Sequence, residues 1–261
     1  MALALALAAA ALPVRAADGC SRPITVPISP LGFEMVVDQQ QRASGTALDL
    51  LDQVAQRTGC RFQFIFVPRV RAVVMFVAGE VDLLTSATQT DERDRAGEFI
   101  HMLDDQAGVV GLKGHVDKLG LPASLAGGDY MVNVVRGFDY GAPYREMVET
   151  LRRQHRLEDV VDPDTLVRKM AVGRADVALI PPHALYEAAL RHGLVDRLQT
   201  VRIEAMATHH VGIYLSTRAL KAPDRQRLAE ALLALRREQF QWHLLQKRLP
   251  PWVLEGTRPV P

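Results

Sequence analysis

The sequence predicts an α/β protein built from two similar lobes, and three observations carry that prediction. Short apolar runs alternate with segments of helical periodicity along the chain. One unit occurs twice: Phe76-Val-Ala-Gly79-Glu-Val-Asp82-Leu-Leu returns in form as Met170-Ala-Val-Gly173-Arg-Ala-Asp176-Val-Ala, each a helix, a glycine stop, two residues, an aspartate and a strand. Any helix-to-strand turn can produce Gly-x-x-Asp; its repetition at corresponding places is what carries weight. Third, the 261 residues, 48% hydrophobic and 23% charged, have ordinary globular composition. That composition excludes disordered, collagen-like and small disulfide-scaffold classes. The 31 basic and 30 acidic residues leave a net charge of +1, and aromatics make up 6%. Neither an electrostatic footprint for nucleic acid nor a base-stacking platform is present.

Ile24–Ile28 reads as the first strand. A helix follows over 47–57, with Leu48, Leu51, Val54 and Ala55 at helical spacing and Gly59 behind it. Residues 62–67 are β-rich, and Pro68 opens a helix over Arg69–Ala78 that Gly79 stops, because glycine takes the left-handed conformation of a helix end. Further strands are predicted over 81–85, 106–112, 130–135, Val177–Ile180 and 211–216. Helices are predicted over 144–155, from Asp162-Pro163 to Gly173, and from a cap at Asp224 to about Leu245, with Leu228, Leu232, Leu235 and Phe240 on its apolar face. The proline-rich tail, 250–261, reads as packed coil or disorder.

Residues 1–12 form an unbroken apolar run, followed by Pro13, Val14, Arg15, Ala16 and Ala17. A bilayer span needs about 20 residues. The segment 1–17 is therefore expected to be a secretory signal peptide cleaved near Ala16 or Ala17, which makes the mature protein periplasmic. No Lys or Arg precedes the run; a start further upstream or the α-amino group would supply that charge, and a buried N-terminal helix is the alternative. Cys20 and Cys60 stand just before the first and second strands. Neighbouring parallel strands would bring them together, so a disulfide is expected in an oxidising compartment. A lipidated Cys20 is the rival, with Arg15 and Asp18 interrupting the apolar lead it requires.

Three stretches then add up. Gly79-Glu-Val-Asp82-Leu-Leu-Thr-Ser86-Ala-Thr88-Gln-Thr90-Asp-Glu92-Arg93 continues to Phe99-Ile100; Gly45 precedes Leu48-Asp49-Leu50-Leu51; and Val135-Arg136-Gly137-Phe138-Asp139-Tyr140-Gly141 follows in order. Over most of residues 22–245 the chain resembles the bacterial solute-binding proteins of the polar amino-acid type, family 3, partners of ATP-binding-cassette (ABC) importers. The resemblance implies the periplasmic-binding-protein-like type II fold: two lobes, a hinge of two crossovers and a ligand cleft between them. Lobe one would hold 22–110 plus 209–261, and lobe two 111–208. It further implies a small-molecule ligand, a membrane permease as partner, a monomer, and no cofactor or metal.

Ser86 and Thr88 leave the carboxyl end of a strand, where α/β sheets gather ligands, and offer hydroxyls and amides to an anionic oxygen. Arg93 presents a planar fork that matches a carboxylate. In the family the matching arginine holds the ligand α-carboxylate, and the resemblance gives Arg93 that role; a surface pair with Asp91 or Glu92 is the alternative. In the second jaw, Gly137 permits close backbone approach, Phe138 or Tyr140 covers an apolar ligand body, and Asp139 lies at a helix N-terminus. An ordinary turn with Asp139 as N-cap competes with that reading. The family's ammonium-binding aspartate falls on Pro181, which cannot neutralise a cation, and Glu187 lies too far along the next helix to replace it. An amine-free carboxylate or another small anion is thus as good a ligand as an amino acid, with Asp139 left as an amine acceptor. His183 is placed toward the cleft, and Arg69 and Arg71 are second choices for an anion. His209-His210 lack the spaced partner a metal site needs and read as exposed or locally bonded.

The leading function is capture by lobe closure and delivery to the importer. The alternatives are an enzyme on the same scaffold, cyclohexadienyl dehydratase-like, with Glu98, Asp139 or Glu187 as general acid, and a ligand-sensing accessory protein. No GxSxG, P-loop or HExxH motif is present.

Overall fold

The computed structural model describes residues 19–38, 40–119, 125, 127–203 and 206–260; the expected signal segment, 1–17, lies outside the described residues. The first half runs β1 (Ile24–Ile28), a hairpin of β2 (Val36–Val37) and β3 (Ala43–Ser44), α1 (Thr46–Thr58), β4 (Phe62–Phe66), α2 (Arg69–Ala78), β5 (Leu83–Thr88), α3 (Asp91–Asp94) and β6 (Gly97–Asp105). The second runs β7 (Gly108–Leu112), β8 (Val132–Val135), α4 (Ala142–Arg153), β9 (Leu157–Val160), α5 (Pro163–Ala171), β10 (Val177–Ile180), α6 (Pro182–Arg191) and β11 (Leu198–Arg202). The chain then returns through β12 (His209–Ser216), α7 (Ala222–Arg237), α8 (Phe240–Arg248) and β13 (Arg258–Pro259).

Strand order separates the halves. One sheet runs β13-β6-β12-β5, beside the parallel pair β1-β4; another runs β11-β7-β10-β8-β9. The backbone crosses from the first to the second between Asp105 and Gly108, and back between Arg202 and His209. Each sheet has its own core. Ile24, Val26, Leu50 and Val54 pack with Leu228, Leu232 and Leu235 of α7 in one, and Val132, Leu166, Met170, Val177 and Leu185 pack in the other. Among the described residues no helix is long and apolar enough to cross a membrane.

The repeated unit does the same structural work twice. Gly79 and Gly173 end their helices at φ 79° and 68°. Asp82 Oδ2 then accepts the Thr25 amide (2.8 Å), and Asp176 Oδ2 accepts the Met131 amide (2.8 Å), each fixing the start of the strand alongside. Cys20 and Cys60 are bridged, Cα–Cα 4.7 Å, where parallel β1 and β4 begin together.

Several expectations are corrected. Strands β6, β9 and β11 and the two-residue strands β2, β3 and β13 were not anticipated: Gly97–Asp105, for one, mixes Glu98, His101, Asp104 and Asp105 into its apolar residues, and tertiary pairing overrides the weak pattern. The long C-terminal helix is two helices. Gln239 turns left-handed (φ 51°), so α8 folds back and Leu245 joins the same core as Leu235. Asp224 is not the cap; Lys221 is, and the Asp224 carboxylate in the first turn accepts the Ser21 amide (3.0 Å) and hydroxyl (2.6 Å). The tail packs, with Val253 and Leu254 buried and β13 paired to β6.

Candidate functional site

The nine residues singled out from the sequence, Ser86 through His183, all line one cavity of about 50 Å³ between the two sheets. That volume holds a few water-sized groups.

On the first wall, β5 carries a bulge. Gly212 of β12 opposes Ala87 and Tyr214 opposes Leu84, so Thr85 and Ser86 share one partner position. Ser86 has φ 48°, a conformation non-glycine residues seldom adopt, and it faces the cavity. Arg69, the first residue of α2 after Pro68, holds the bulge: its Nη1 and Nη2 donate to the Thr85 and Ser86 carbonyls at 3.1 and 3.0 Å. Arg93 sits on α3, where the Thr90 hydroxyl accepts the Arg93 amide (3.4 Å). Its Nη1 donates to the Thr88 carbonyl (2.6 Å), its Nε is buried without a partner, and among the described residues it forms no ion pair. The surface pair with Asp91 or Glu92 is absent because the side chain points inward, 5% exposed. Two guanidiniums thus share one small space. Burial first, then the charge of Arg93, draws Arg69 down to about 9; burial also lowers Arg93, with Asp139 opposing.

On the second wall, Gly137 (φ 80°) is where the jaw loop meets α2: a Cβ there would stand 3.1 Å from the Val70 amide nitrogen. Phe138 meets Tyr140 edge-on, and Tyr140 packs on Tyr144 and His209 with its hydroxyl buried and unpartnered. Asp139 does not cap α4; Gly141 does, and Asp139 Oδ1 accepts the Gly141 amide (2.9 Å) while Arg145 pairs with the carboxylate (2.9 Å). Asp139 is therefore already engaged. Pro181 is the N-cap of α6 and brings no charge.

Three titratable cavity residues were not read as site residues: Glu34, Asp105 and His209, the last buried where an exposed or locally bonded ring was expected. Asp105 and His209 face each other across β6 and β12, and β6 itself was unanticipated. His183 Nε2 lies 2.8 Å from Asp105 Oδ2, and Thr257 donates to Oδ1 (2.9 Å). Burial would raise Asp105, but His183 and Thr257 outweigh it and hold the carboxyl below its ordinary range. Burial would lower His183, but Asp105 and then Glu34 outweigh it and raise the imidazole. Glu34 is pushed up by burial, with His183, the Ser86 hydroxyl and Arg69 opposing. Of the proposed general acids, only Asp139 lines the cavity; Glu98 pairs with Arg225 at 3.6 Å, and Glu187 lines a separate outer groove. Arg71 is exposed and does not line the cavity.

Among the described residues, five buried side-chain atoms of this lining have no hydrogen-bond partner: Arg93 Nε, Tyr140 Oη, His183 Nδ1 and both ring nitrogens of His209, whose Nε2 lies 3.9 Å from Asp105 Oδ2. Unpaired buried polar atoms are costly, and their concentration in one cavity fits a polar occupant.

The fold is shared with several solved structures. A histidine kinase sensor domain with similarity to periplasmic binding proteins matches at 20% identity, over 87% of this chain and 96% of that one, with a TM-score of 0.67. An amino acid ABC transporter substrate-binding protein from Streptococcus pneumoniae, bound to L-arginine, matches at 16% identity over 86% and 92%, TM-score 0.70. The arginine-, lysine-, histidine-binding protein ArtJ from Geobacillus stearothermophilus matches at 14% identity over 88% and 97%, TM-score 0.70. At these identities the likeness is one of fold. No curated protein matches the chain. The model of the bacterial extracellular solute-binding proteins, family 3, matches residues 25–181, more than half of the chain, and the chain belongs to that family.

Proposed function

We propose that this protein is a periplasmic receptor, exported by its segment 1–17, that captures a small carboxylate-bearing solute and delivers it to an ABC importer. The boundary drawn at 110/111 would split β7, so it moves to the crossover ahead of that strand: residues 22–105 with 209–260 form one jaw and 108–202 the other, and the monomer closes over the solute. The observation that carries the proposal is the pair of buried guanidiniums, Arg69 and Arg93, in a cavity with five unpartnered polar atoms. Arg93 is the carboxylate ligand: its charge has no ion-pair partner among the described residues, and each charge-assisted hydrogen bond it makes contributes about 1.5–3 kcal/mol. Ser86, Thr88 and the Tyr140 hydroxyl complete the polar shell, and Phe138 covers the solute's apolar side. Structural neighbours carry arginine or histidine. Among the described residues that line the cavity, the second jaw offers an ammonium no free carboxylate, because Pro181 carries no charge and Asp139 is engaged by Arg145, which favours a solute without an α-amine.

Calorimetry and thermal shift across amino acids, amine-free carboxylates and inorganic anions test this. A carboxylate should raise the melting temperature by mass action. Arg93→Ala should lower its affinity at least a hundredfold with the fold intact; unchanged affinity removes Arg93 from the site.

Two further readings each rest on one observation. The sensor-domain neighbour supports ligand sensing through a separate signalling partner, which co-purification with a kinase rather than a permease would establish. Glu34, a buried cavity carboxyl with a raised pKa, has the property a dehydratase's general acid needs. Turnover of prephenate or arogenate, abolished in Glu34→Gln, would establish that reading.

A further inference from the structure

Strands β6 and β12 pair around a second bulge. Leu103 opposes Val211, yet the next residue of β12, Gly212, opposes His101, so Met102 is the extra residue. Side chains alternate between faces along a strand, and a bulge resets that alternation. Asp105 and His209 face the solute cavity. Their chain neighbours Asp104 and His210, also direct cross-strand partners, lie on the opposite face, and the bulge brings His101 to the same side.

There His101 Nε2 is 2.8 Å and His210 Nδ1 is 2.7 Å from one oxygen, Asp104 Oδ1. The three atoms lie within 4.8 Å of one another, and the imidazole centroids are 4.2 Å apart. His101 Nε2 also lies 3.0 Å from the Leu103 carbonyl. His101 and Asp104 are partly buried and so held in place, whereas the His210 side chain is 52% exposed and leaves an open approach.

We propose that His101, Asp104 and His210 bind a divalent transition metal of the zinc class. Two imidazoles and one carboxylate are a three-ligand set that zinc accepts with a water in the fourth position. Binding moves the proton of each imidazole to its far nitrogen, His101 to Nδ1 and His210 to Nε2, and turns the freed lone pairs toward the metal. Metal–ligand bonds of about 2.0–2.1 Å place tetrahedral donors roughly 3.3 Å apart, so each nitrogen draws back from Asp104 Oδ1 by about half an ångström and the two nitrogens, within 4.8 Å of each other, settle at that same spacing, a movement the exposed His210 side chain accommodates. The metal would clamp the two strands that adjoin the crossovers, outside the solute cavity. Sequence spacing gave no sign of it, because His101 and His210 stand on separate strands and meet only through the bulged register.

The test uses the full chain without a polyhistidine tag, stripped with a chelator and titrated with Zn²⁺ by calorimetry and equilibrium dialysis. One equivalent should bind with micromolar or tighter affinity, and Co²⁺ should give the visible d–d bands of a nitrogen–oxygen ligand set. His210→Ala and Asp104→Asn should each weaken Zn²⁺ binding at least tenfold, while His210→Ala leaves solute binding unchanged. Unaltered Zn²⁺ affinity in both folded variants overturns the proposal. If a variant fails to fold, the unmodified protein decides: no zinc uptake and no Co²⁺ bands overturn it as well.

Discussion

The two copies of the helix–Gly–x–x–Asp–strand unit differ in the surroundings of the aspartate and in the residues beyond the strand. Asp82 is 1% exposed and receives both Nη groups of Arg22 at 2.6 Å besides the Thr25 amide. Asp176 is 33% exposed and holds the Met131 amide, with His115 only at 3.8 Å. The first strand carries a bulge with Ser86 and is followed by the inward-facing Arg93; beyond the second, Pro181 starts a helix at once. The comparison teaches that the repeated carboxylate is architecture in both places. The chemistry sits at the end of each strand and in the few residues after it, and there the copies have diverged.

The first copy is also the stapled one, which sets the largest expected effect. Replacing Cys20 and Cys60 by serine opens a loop with a sequence separation of 40. That should cost about 4 kcal/mol in urea denaturation, and a reductant should reproduce the loss in the unmodified protein. A loss well under 1 kcal/mol would mean that β1 and β4 need no staple. Next, Asp82→Ala should destabilise by about 2–3 kcal/mol, since it leaves a buried amide and a guanidinium without their acceptor, and Asp176→Ala by about 1 kcal/mol. Equal losses would break the comparison.

The architecture was legible because it rests on local signals. Pro68 and Gly79 bracket α2, and Asp162-Pro163 starts α5, with caps and stops that act within one turn. The Ser86–Arg93 segment was legible for another reason: its order, a strand end running into Thr90-Asp-Glu92-Arg93, resembles the family's own stretch. Glu34, Asp105 and His209 were not: Asp105 joins the cavity through pairing with β12 and contact with α6, both distant in sequence. The α7–α8 break was illegible too. No glycine or proline marks Gln239, and the turn is imposed by the core that Leu235 and Leu245 share.

Pro181→Asp sharpens the contrast at the strand ends. The variant places a carboxylate where the second jaw has none, at an N-cap position that favours aspartate over proline, so stability should hold or rise slightly. Affinity for α-amino acids should rise about tenfold, or 1.4 kcal/mol, while amine-free carboxylates weaken. Tight amino-acid binding by the unmodified protein would show that some other group already receives the amine.

The smallest effect concerns the Ser21–Asp224 anchor, next in sequence to the Arg22 that pairs with Asp82 of the first unit. Burial alone would raise the Asp224 carboxyl, but the Ser21 hydroxyl and amide, with Lys221 and Arg22, hold it below its ordinary value. A carboxyl whose folded pKa is depressed stabilises the fold above its unfolded pKa, about 3.9, and loses that contribution as pH falls through the folded value. Ser21→Ala removes the 2.6 Å hydroxyl bond and keeps the amide bond. It should cost about 1 kcal/mol at neutral pH. The gap between the two stability curves should then narrow as acid protonates Asp224, because a protonated carboxyl no longer distinguishes alanine from serine by charge. Parallel curves down to the acid limit would mean that the hydroxyl acts through packing, and the anchor would add no charge interaction beside the first unit.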